Sequence, residues 1–472
     1  MKKLVLILAM IMSISIISSC GAAETPDTGK TEPEVKALRD FDGAEFIVDS
    51  TWINDFCPEA EGVTLDLDIA LAWWHQVETD LNCVITPELV DPEPMIPASV
   101  AAATKQCDLM FIEARDMYKL AKGGFLSNLD ELQNIDPLDA TRWSQNYGRE
   151  MYTYKGVTYA VKQLSYSGAA GGISGGALVF NEALIKEFNV THPYELLENK
   201  QWTFDTFTDM LPQVSDTSAE RKIYGLIQQN DDLLPKSAVF ANGGHAAVDI
   251  NGVQVFGFTQ PEAIYALEWA KNIIGMKDYF KKVDSNNGDF VKGNGTFYLS
   301  QAWVNMIMGE AFASFSAIMN DIEFSWIHFP YGPSAVYGET MAVWEQSTIQ
   351  EWSIPLSADD EENSAYLLNY WLDPAKGNSA DFAAKADEYN GRQRREFFFS
   401  DKSYEYFTYM DTQKILDYPL GLEDLRDTLN NSLAAAVKGN KSIIEALASI
   451  EEKVNTQLNV EYNDVAAATV TD

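Results

Sequence analysis

Charged and aromatic side chains follow two short apolar segments, at positions where ligand-binding residues commonly lie. Glu113 and Arg115 come directly after the apolar run at residues 108–112, and Thr51 and Trp52 follow an earlier run. In open α/β sheets, ligands bind beyond the carboxyl ends of the strands. A carboxylate and a guanidinium could hydrogen-bond the hydroxyl groups of a sugar, and an indole could stack on its ring. The alternative is that Glu113 and Arg115 form a solvated pair in a loop.

Residue types that serve metal, disulfide or nucleophilic chemistry are scarce in this chain. It contains 4 Cys and 4 His, and it has no C-x-x-C pair, no G-x-S-x-G, no H-E-x-x-H and no phosphate-binding loop. We therefore predict no cofactor, no metal site and no enzymatic activity. An exported carbohydrate-active hydrolase that uses two carboxylates is the alternative, but 70 acidic residues would supply such a pair by chance.

The charge balance excludes one large class of partners. The 472 residues carry a formal net charge of −36, from 34 Lys and Arg against 70 Asp and Glu. Such a surface repels phosphate backbones, so we expect no nucleic-acid binding. The chain also has 11 Trp and 21 Tyr, and these rings can serve either as core or as stacking platforms for ligands.

The N-terminus predicts export. Lys2 and Lys3 precede an apolar run at residues 4–17, which is typical of a secretory signal peptide and too short for a confident membrane span. The run ends in Ser-Ser-Cys20-Gly, which resembles a bacterial lipobox. We predict a signal peptide at residues 1–19, lipidation of Cys20, a flexible polar linker at 20–40 and anchoring on the outer face of the cell membrane. The alternative is a plain signal peptide followed by an incidental cysteine.

The rest of the chain alternates helix and strand signals. Trp73, Val77 and Leu81 recur at helical spacing, with Trp73 expected in the core and Trp74 on its flank. Residues 108–112 are apolar without alternation, which predicts a parallel strand covered on both faces, and Cys107 before them is expected to be a buried thiol. This pattern favours an α/β fold.

Two helix starts can be read from capping residues. Thr203 is a good N-cap, flanked by Trp202 and Phe207 at the positions of a hydrophobic staple. Ser442 and Glu445 form a capping box before an apolar stripe that predicts a packed terminal helix.

Several segments, taken in order, resemble the family 1 extracellular solute-binding proteins of ABC transporters. Residues 202–207, Trp-Thr-Phe-Asp-Thr-Phe, are similar to a characteristic helix start of that family. The other segments that carry the resemblance are residues 108–132, 154–161, 178–184, 242–244, 295–303, 329–333 and 440–455.

The resemblance implies a two-lobed periplasmic-binding-protein-like fold of type II, with a ligand cleft between lobes joined by hinge strands. It places lobe one at residues 41–160 and 296–357, and lobe two at 161–295 and 358–472. It implies a monomer that captures a small solute, most often a sugar or oligosaccharide, and delivers it to an ABC transporter permease. A sensor partner or adhesin on the same fold is the other alternative.

The resemblance also nominates residues for the cleft. By their places in the family-like segments these are Trp303, Gln163, Tyr166, Asp231, Trp344 and Trp352. Trp303 is the strongest of them, because its segment resembles one in which a tryptophan lies under the sugar ring. Core packing is the alternative for Trp303, and an ordinary loop carboxylate is the alternative for Asp231.

Overall fold

The computed structural model describes most of the chain between Leu38 and Asn463. The described residues are 38–60, 67–144, 149–163, 172–218, 220–283, 288–299, 302–303, 322–373, 400–412, 414–439 and 442–463. The predicted signal peptide, Cys20, most of the predicted linker and Tyr166 lie outside them. Among the described residues, no helix has both the length and the apolar character needed to cross a membrane.

The described chain alternates strands and helices. The strands are β1 (Ala44–Ser50), β2 (Cys83–Leu89), β3 (Leu109–Glu113), β4 (Thr153–Tyr154), β5 (Val157–Thr158), β6 (Ala160–Val161), β7 (Gly172–Ile173), β8 (Ala177–Asn181), β9 (Tyr224–Gln228), β10 (Ala247–Ile250), β11 (Val253–Phe256), β12 (Phe280–Lys282), β13 (Gly295–Leu299), β14 (Ala302–Trp303), β15 (Phe324–His328), β16 (Val343–Glu345), β17 (Gln350–Ser353) and β18 (Lys414–Leu416). The α-helices are α1 (Leu67–Leu81), α2 (Ile96–Ala102), α3 (Ala114–Gly123), α4 (Glu182–Glu187), α5 (Pro193–Glu198), α6 (Phe204–Gln213), α7 (Leu233–Ala241), α8 (Pro261–Gly275), α9 (Gly288–Val291), α10 (Glu361–Trp371), α11 (Asp401–Thr412), α12 (Arg426–Lys438) and α13 (Ile443–Leu458). Short 3₁₀ turns include Ile53–Asp55, Arg149–Tyr152 and Leu420–Leu425, and a π-helical turn covers Asn459–Asn463.

One five-stranded sheet has the order β2-β1-β3-β17-β6 and is called the first sheet here. β1 runs parallel to β2 and β3, whereas β17 runs antiparallel to β3 and β6. Every residue of β3 is buried, because apolar clusters cover both faces of the sheet. Phe111 points into one cluster and Ile112 into the other. The prediction of a parallel strand covered on both faces is confirmed.

The second sheet has the order β12-β9-β13-β8-β15 and its own apolar cores. β9 runs parallel to β12 and β13, and β8 runs antiparallel to β13 and β15. Two sheets with separate cores, each flanked by helices, confirm the predicted α/β architecture.

The members of each sheet and core come from distant parts of the chain. β13 and β15 belong to the second sheet, and α10 packs its apolar side into a core of the first sheet. The lobe boundaries expected from the family resemblance stay predictions.

The predicted helix caps are present. The Thr203 hydroxyl accepts a hydrogen bond from the Thr206 amide at the start of α6, and the rings of Trp202 and Phe207 lie 5.5 Å apart. The capping box of Ser442 and Glu445 opens α13.

Two expectations about buried side chains have different outcomes. Cys107 is fully buried and free, like Cys57 and Cys83, so its prediction as a buried thiol is confirmed. The expectation for α1 is wrong in detail, because Trp74 is the buried core residue and Trp73 is only partly buried. The indole of Trp73 stacks on Tyr370 and donates a hydrogen bond to the Trp371 carbonyl.

Candidate functional site

The carboxyl ends of β1 and β3 are tied together by one hydroxyl group. Ser50 Oγ donates a hydrogen bond of 2.7 Å to the Phe111 carbonyl and accepts one of 2.8 Å from the Trp52 amide. The Trp52 side chain is 40% exposed, directly after the strand ends. An aromatic ring is therefore presented to solvent at the edge where the ligands of open α/β sheets bind.

Glu113 and Arg115 lie at the same edge, where β3 turns into α3. Arg115 Nη2 lies 2.5 Å from Glu113 Oε2. Burial raises the pKa of Glu113 to about 7, although the Arg115 guanidinium opposes the rise. The Glu113 carboxyl therefore titrates near neutral pH, while the Arg115 side chain is 41% exposed and keeps donors available.

A buried ion cluster stands behind this edge. Arg426 and Lys236 both bind the carboxylate of Asp417, at 2.7 Å and 3.0 Å. Burial alone would raise the pKa of Asp417, but the two cations hold it below its ordinary value. Arg426 also pairs with Glu423 at 2.6 Å. The opposite charges offset the cost of burial, so this cluster is a rigid support.

Ser347 connects the ion cluster to the strand edge. Its hydroxyl accepts a hydrogen bond of 3.2 Å from Arg426, and its carbonyl accepts one of 3.1 Å from the Arg115 amide. The start of α3 is therefore fixed against the segment between β16 and β17, which connects the two-stranded β16–β18 sheet to the first sheet.

Trp344 lies on the other side of the ion cluster. Lys236 Nζ sits 4.4 Å from the centre of its ring, and the side chain has no exposed surface. Gly175 packs against the indole so closely that a Cβ there would lie 2.0 Å from Trp344. In this structure Trp344 contacts a buried lysine through a cation–π interaction, and no part of its ring is exposed.

Asp231 lies at the carboxyl end of a strand in the second sheet. It follows β9, and its carboxylate contacts Lys282 at 3.0 Å and also Lys438. Partial burial would raise the pKa of Asp231, but these two ammonium groups hold it below its ordinary value. The carboxylate is therefore ionised and already paired, and it is separate from the Glu113 edge.

Trp352 belongs to the core of the first sheet. It has no exposed surface, and its ring contacts Phe56, Phe111 and Trp371 with centroids 4.8–5.1 Å away. The structure thus gives Trp352 a packing role and leaves no part of its indole open to a ligand.

Gln163 and Trp303 lie in short backbone pairings. Gln163 forms an antiparallel bridge with Trp143 and is partly buried. The backbone of Trp303 pairs with Gly172 in a two-stranded sheet, but its side chain lies outside what the structure describes. Their roles as ligand contacts stay predictions.

The sequence pattern predicts the residues at the strand edge, but it does not predict the buried ion cluster near them. Glu113, Arg115 and Trp52 follow strands that can be recognised locally. Lys236 and Asp417 are 181 residues apart, and nothing in their local patterns signals the contact. Within the described part of the chain, no cluster of His, Cys, Asp and Glu could hold a metal ion.

Comparison with known proteins gives a clear result for the fold. No family model and no curated protein matches the sequence. Among solved structures, the GacH receptor of Streptomyces glaucescens, solved unliganded and with acarbose, has a TM-score of 0.58 at 14% identity, with 88% of this chain and 99% of that chain covered. UgpB from Mycobacterium tuberculosis in complex with glycerophosphocholine has a TM-score of 0.56 at 14% identity, covering 88% and 98%.

A third similar structure is the ABC substrate-binding protein Lmo0181 from Listeria monocytogenes in complex with cycloalternan. Its TM-score is 0.56 at 14% identity, with 89% of this chain and 100% of that chain covered. The described sheets, together with these alignments over nearly whole chains, show that the chain shares the two-lobed, maltose-binding-like fold of these binding proteins. The resemblance stated from the sequence is confirmed for the fold.

Proposed function

We propose that this protein captures a small solute, a sugar or oligosaccharide, and delivers it to an ABC transporter permease. The observation that carries the proposal is the exposed residue Trp52 after β1, at the same sheet edge as the Glu113–Arg115 pair that ends the neighbouring strand β3. These groups lie at the strand ends of a fold shared with solute-binding proteins.

The side chains at this edge suit a polyhydroxylated, uncharged ligand. An indole face stacks on the apolar face of a sugar ring. The Arg115 guanidinium donates hydrogen bonds, and the Glu113 carboxyl can accept them or, when protonated, donate one. Two of the similar structures, described with acarbose and cycloalternan, hold carbohydrates, whereas the third holds glycerophosphocholine. This mixture supports solute binding in general, and the aromatic edge favours the sugar.

We propose that the protein binds its solute without converting it chemically. At the strand edge the Glu113 carboxyl is paired with the Arg115 guanidinium, and Asp417 is bound by both Lys236 and Arg426. A hydrolase of the two-carboxylate type needs one acid and one base or nucleophile facing the scissile bond. This arrangement supports capture of an intact solute.

A thermal-shift screen tests the proposal. The purified chain is heated with maltotetraose, cycloalternan, acarbose, single sugars, glycerophosphocholine and amino acids. A true ligand at 100 times its dissociation constant stabilises the folded state by about 2.7 kcal/mol. We expect stabilisation by at least one carbohydrate, which is recovered unchanged afterwards. Stabilisation by glycerophosphocholine alone would reassign the solute class, and chemical conversion of the ligand would contradict the proposal.

We also propose that Cys20 carries the lipid that anchors the protein outside the cell membrane. The lipobox-like sequence before Cys20 supports this. Mass spectrometry of the mature protein from bacterial membranes should find a diacylglycerol-modified N-terminal cysteine. The Cys20→Ala protein should lack the modification, and equal release of both proteins into the medium would contradict the anchor.

A further inference from the structure

A cavity lies between α3 and the C-terminal turns, and Glu113, Arg115 and Trp52 do not line it. Its volume is about 230 Å³. One wall comes from α3 and the β4–β5 hairpin, and the other comes from Leu420 and the π-helical turn at Asn459–Asn463. Tyrosine rings and carboxylates line it, and the group comprises Tyr118, Tyr154, Tyr462, Glu150 and Glu461.

The tyrosine rings are held in fixed positions. Tyr118 and Tyr154 meet edge to face with centroids 5.2 Å apart. The Tyr118 hydroxyl donates a 3.0 Å hydrogen bond to Glu461, and the Tyr462 hydroxyl accepts one of 2.9 Å from the Gly421 amide. Rings that are fixed in this way present their faces to a ligand with little further loss of freedom.

A cation from the chain itself lies against the Tyr154 ring. Lys155 lies at the tip of the β4–β5 hairpin, where Lys155 and Gly156 both have positive φ, 51° and 80°. Its exposed side chain places Nζ 5.3 Å from the centre of the Tyr154 ring. An aromatic face attracts a cation at this distance, and the contact shows that a cation can reach this ring.

The two carboxylates differ in their pairing. The Glu461 carboxylate already has partners, since it forms an ion pair with Lys122 at 2.5 Å and accepts a hydrogen bond of 3.1 Å from Gln457. Glu150 also lines the cavity, and no cation among the described residues forms an ion pair with it. An aromatic wall with one uncommitted carboxylate is the chemistry that recognises an ammonium group.

We propose that this cavity is a second ligand site, which binds a small organic ammonium ion against Tyr154 and Glu150 in place of the Lys155 side chain. The net charge of −36 raises the local concentration of cations around the whole protein. The site shares α3 with the strand edge, since α3 begins at Ala114 and carries Tyr118. This proposal does not depend on the identity of the transported solute.

The probe is tetramethylammonium, with uncharged tert-butanol of similar shape as its partner, in calorimetric titrations at constant ionic strength. We expect tetramethylammonium to bind and tert-butanol to bind about tenfold more weakly or not at all. Tyr154→Leu and Glu150→Gln should each weaken the binding of tetramethylammonium by about threefold or more. Tyr154→Phe keeps the ring and should keep the affinity, and Lys155→Met should raise it, because the internal competitor is gone.

The exposed Tyr265 on α8 provides a matched control, because Tyr265→Leu removes a surface ring elsewhere. Circular dichroism of each variant confirms that it is folded. Equal binding of both probes, or no binding of tetramethylammonium, would overturn the proposal. So would an affinity that does not respond to Glu150→Gln or to Lys155→Met.

Discussion

Glu113 Oε2 lies 2.5 Å from Arg115 Nη2, at the residue where β3 ends and α3 begins. The pair combines a carboxyl that is 6% exposed with a guanidinium that reaches solvent. Burial raises the pKa of the Glu113 carboxyl and pairing with Arg115 lowers it, and burial is the larger effect. The result is a group at the candidate site that changes charge near pH 7.

The first prediction concerns pH. The pKa of Glu113 is about 7 in the folded protein against an ordinary 4.5, so the folded state holds this proton more tightly. The contribution of the Glu113 carboxyl to the free energy of unfolding is therefore fully present below pH 4.5 and is lost as the pH rises toward 7. As the pH rises from 4 to 8, the free energy of unfolding of Glu113→Gln should therefore increase by about 1–3 kcal/mol relative to that of wild type.

Urea unfolding at both pH values measures this difference, with the exposed Glu268→Gln as control. A difference between Glu113→Gln and wild type that is the same at pH 4 and pH 8 would contradict the assignment.

The second prediction concerns the buried ion cluster. Lys236 and Asp417 are both fully buried, and their charged atoms are 3.0 Å apart. Lys236→Met removes one cation and leaves Asp417 with Arg426, so we expect a loss of about 3 kcal/mol in unfolding free energy. Lys222→Met is the matched control, because the Lys222–Asp278 pair is on the surface and should cost less than about 1 kcal/mol. Equal losses in the free energy of unfolding for the two substitutions would contradict a stabilising role of the buried ion cluster.

The third prediction separates core from ligand contact at Trp352. Its ring is enclosed by Phe56, Phe111 and Trp371. Trp352→Ala should therefore cost about 3–5 kcal/mol of unfolding free energy. The affinity of the variant for solute, measured at a temperature where it is folded, should change little. Lost affinity at unchanged stability would instead restore Trp352 to the ligand contacts expected from the sequence.

The fourth prediction concerns Trp303, which the family resemblance places under a sugar ring. Trp303→Ala should then lower solute affinity by about thirty-fold, since truncating such an anchor costs about 2 kcal/mol or more. The unfolding midpoint of the ligand-free variant, measured alongside, distinguishes this from core packing. Preserved affinity with a clear loss of stability would remove Trp303 from the site.

The parts of the fold that were predictable depend on local signals. The buried strand β3 shows itself as an unbroken apolar run, and the start of α6 shows itself through Thr203 and its staple partners. The edge residues Glu113 and Arg115 follow from that strand alone. Local periodicity also locates α1, but it assigned Trp73 instead of Trp74 to the core. Both positions are compatible with the spacing of Val77 and Leu81, because adjacent positions differ by only about 100° around a helix.

What could not be predicted depends on contacts between distant segments. The pairing of β13 with β8 and β9 puts residues 295–299 in the second sheet, and only the assembled sheet reveals it. Trp344 and Trp352 both follow the family-like segment at 329–333, yet one contacts Lys236 through its ring and the other fills a core of the first sheet. Their partners lie far away along the chain, so residue type and spacing gave no means to separate them.

The measurement that tests the account most directly is a calorimetric titration of wild type and Trp52→Ala with the sugar that binds most tightly in the thermal screen. The Trp52 ring is 40% exposed, so its loss should leave the unfolding midpoint almost unchanged. If Trp52 stacks on the sugar at the strand edge, the affinity should fall by about tenfold or more, while the control Tyr265→Ala should bind like wild type. An unchanged affinity in Trp52→Ala, with both proteins folded, would contradict the proposal that the solute binds at this edge.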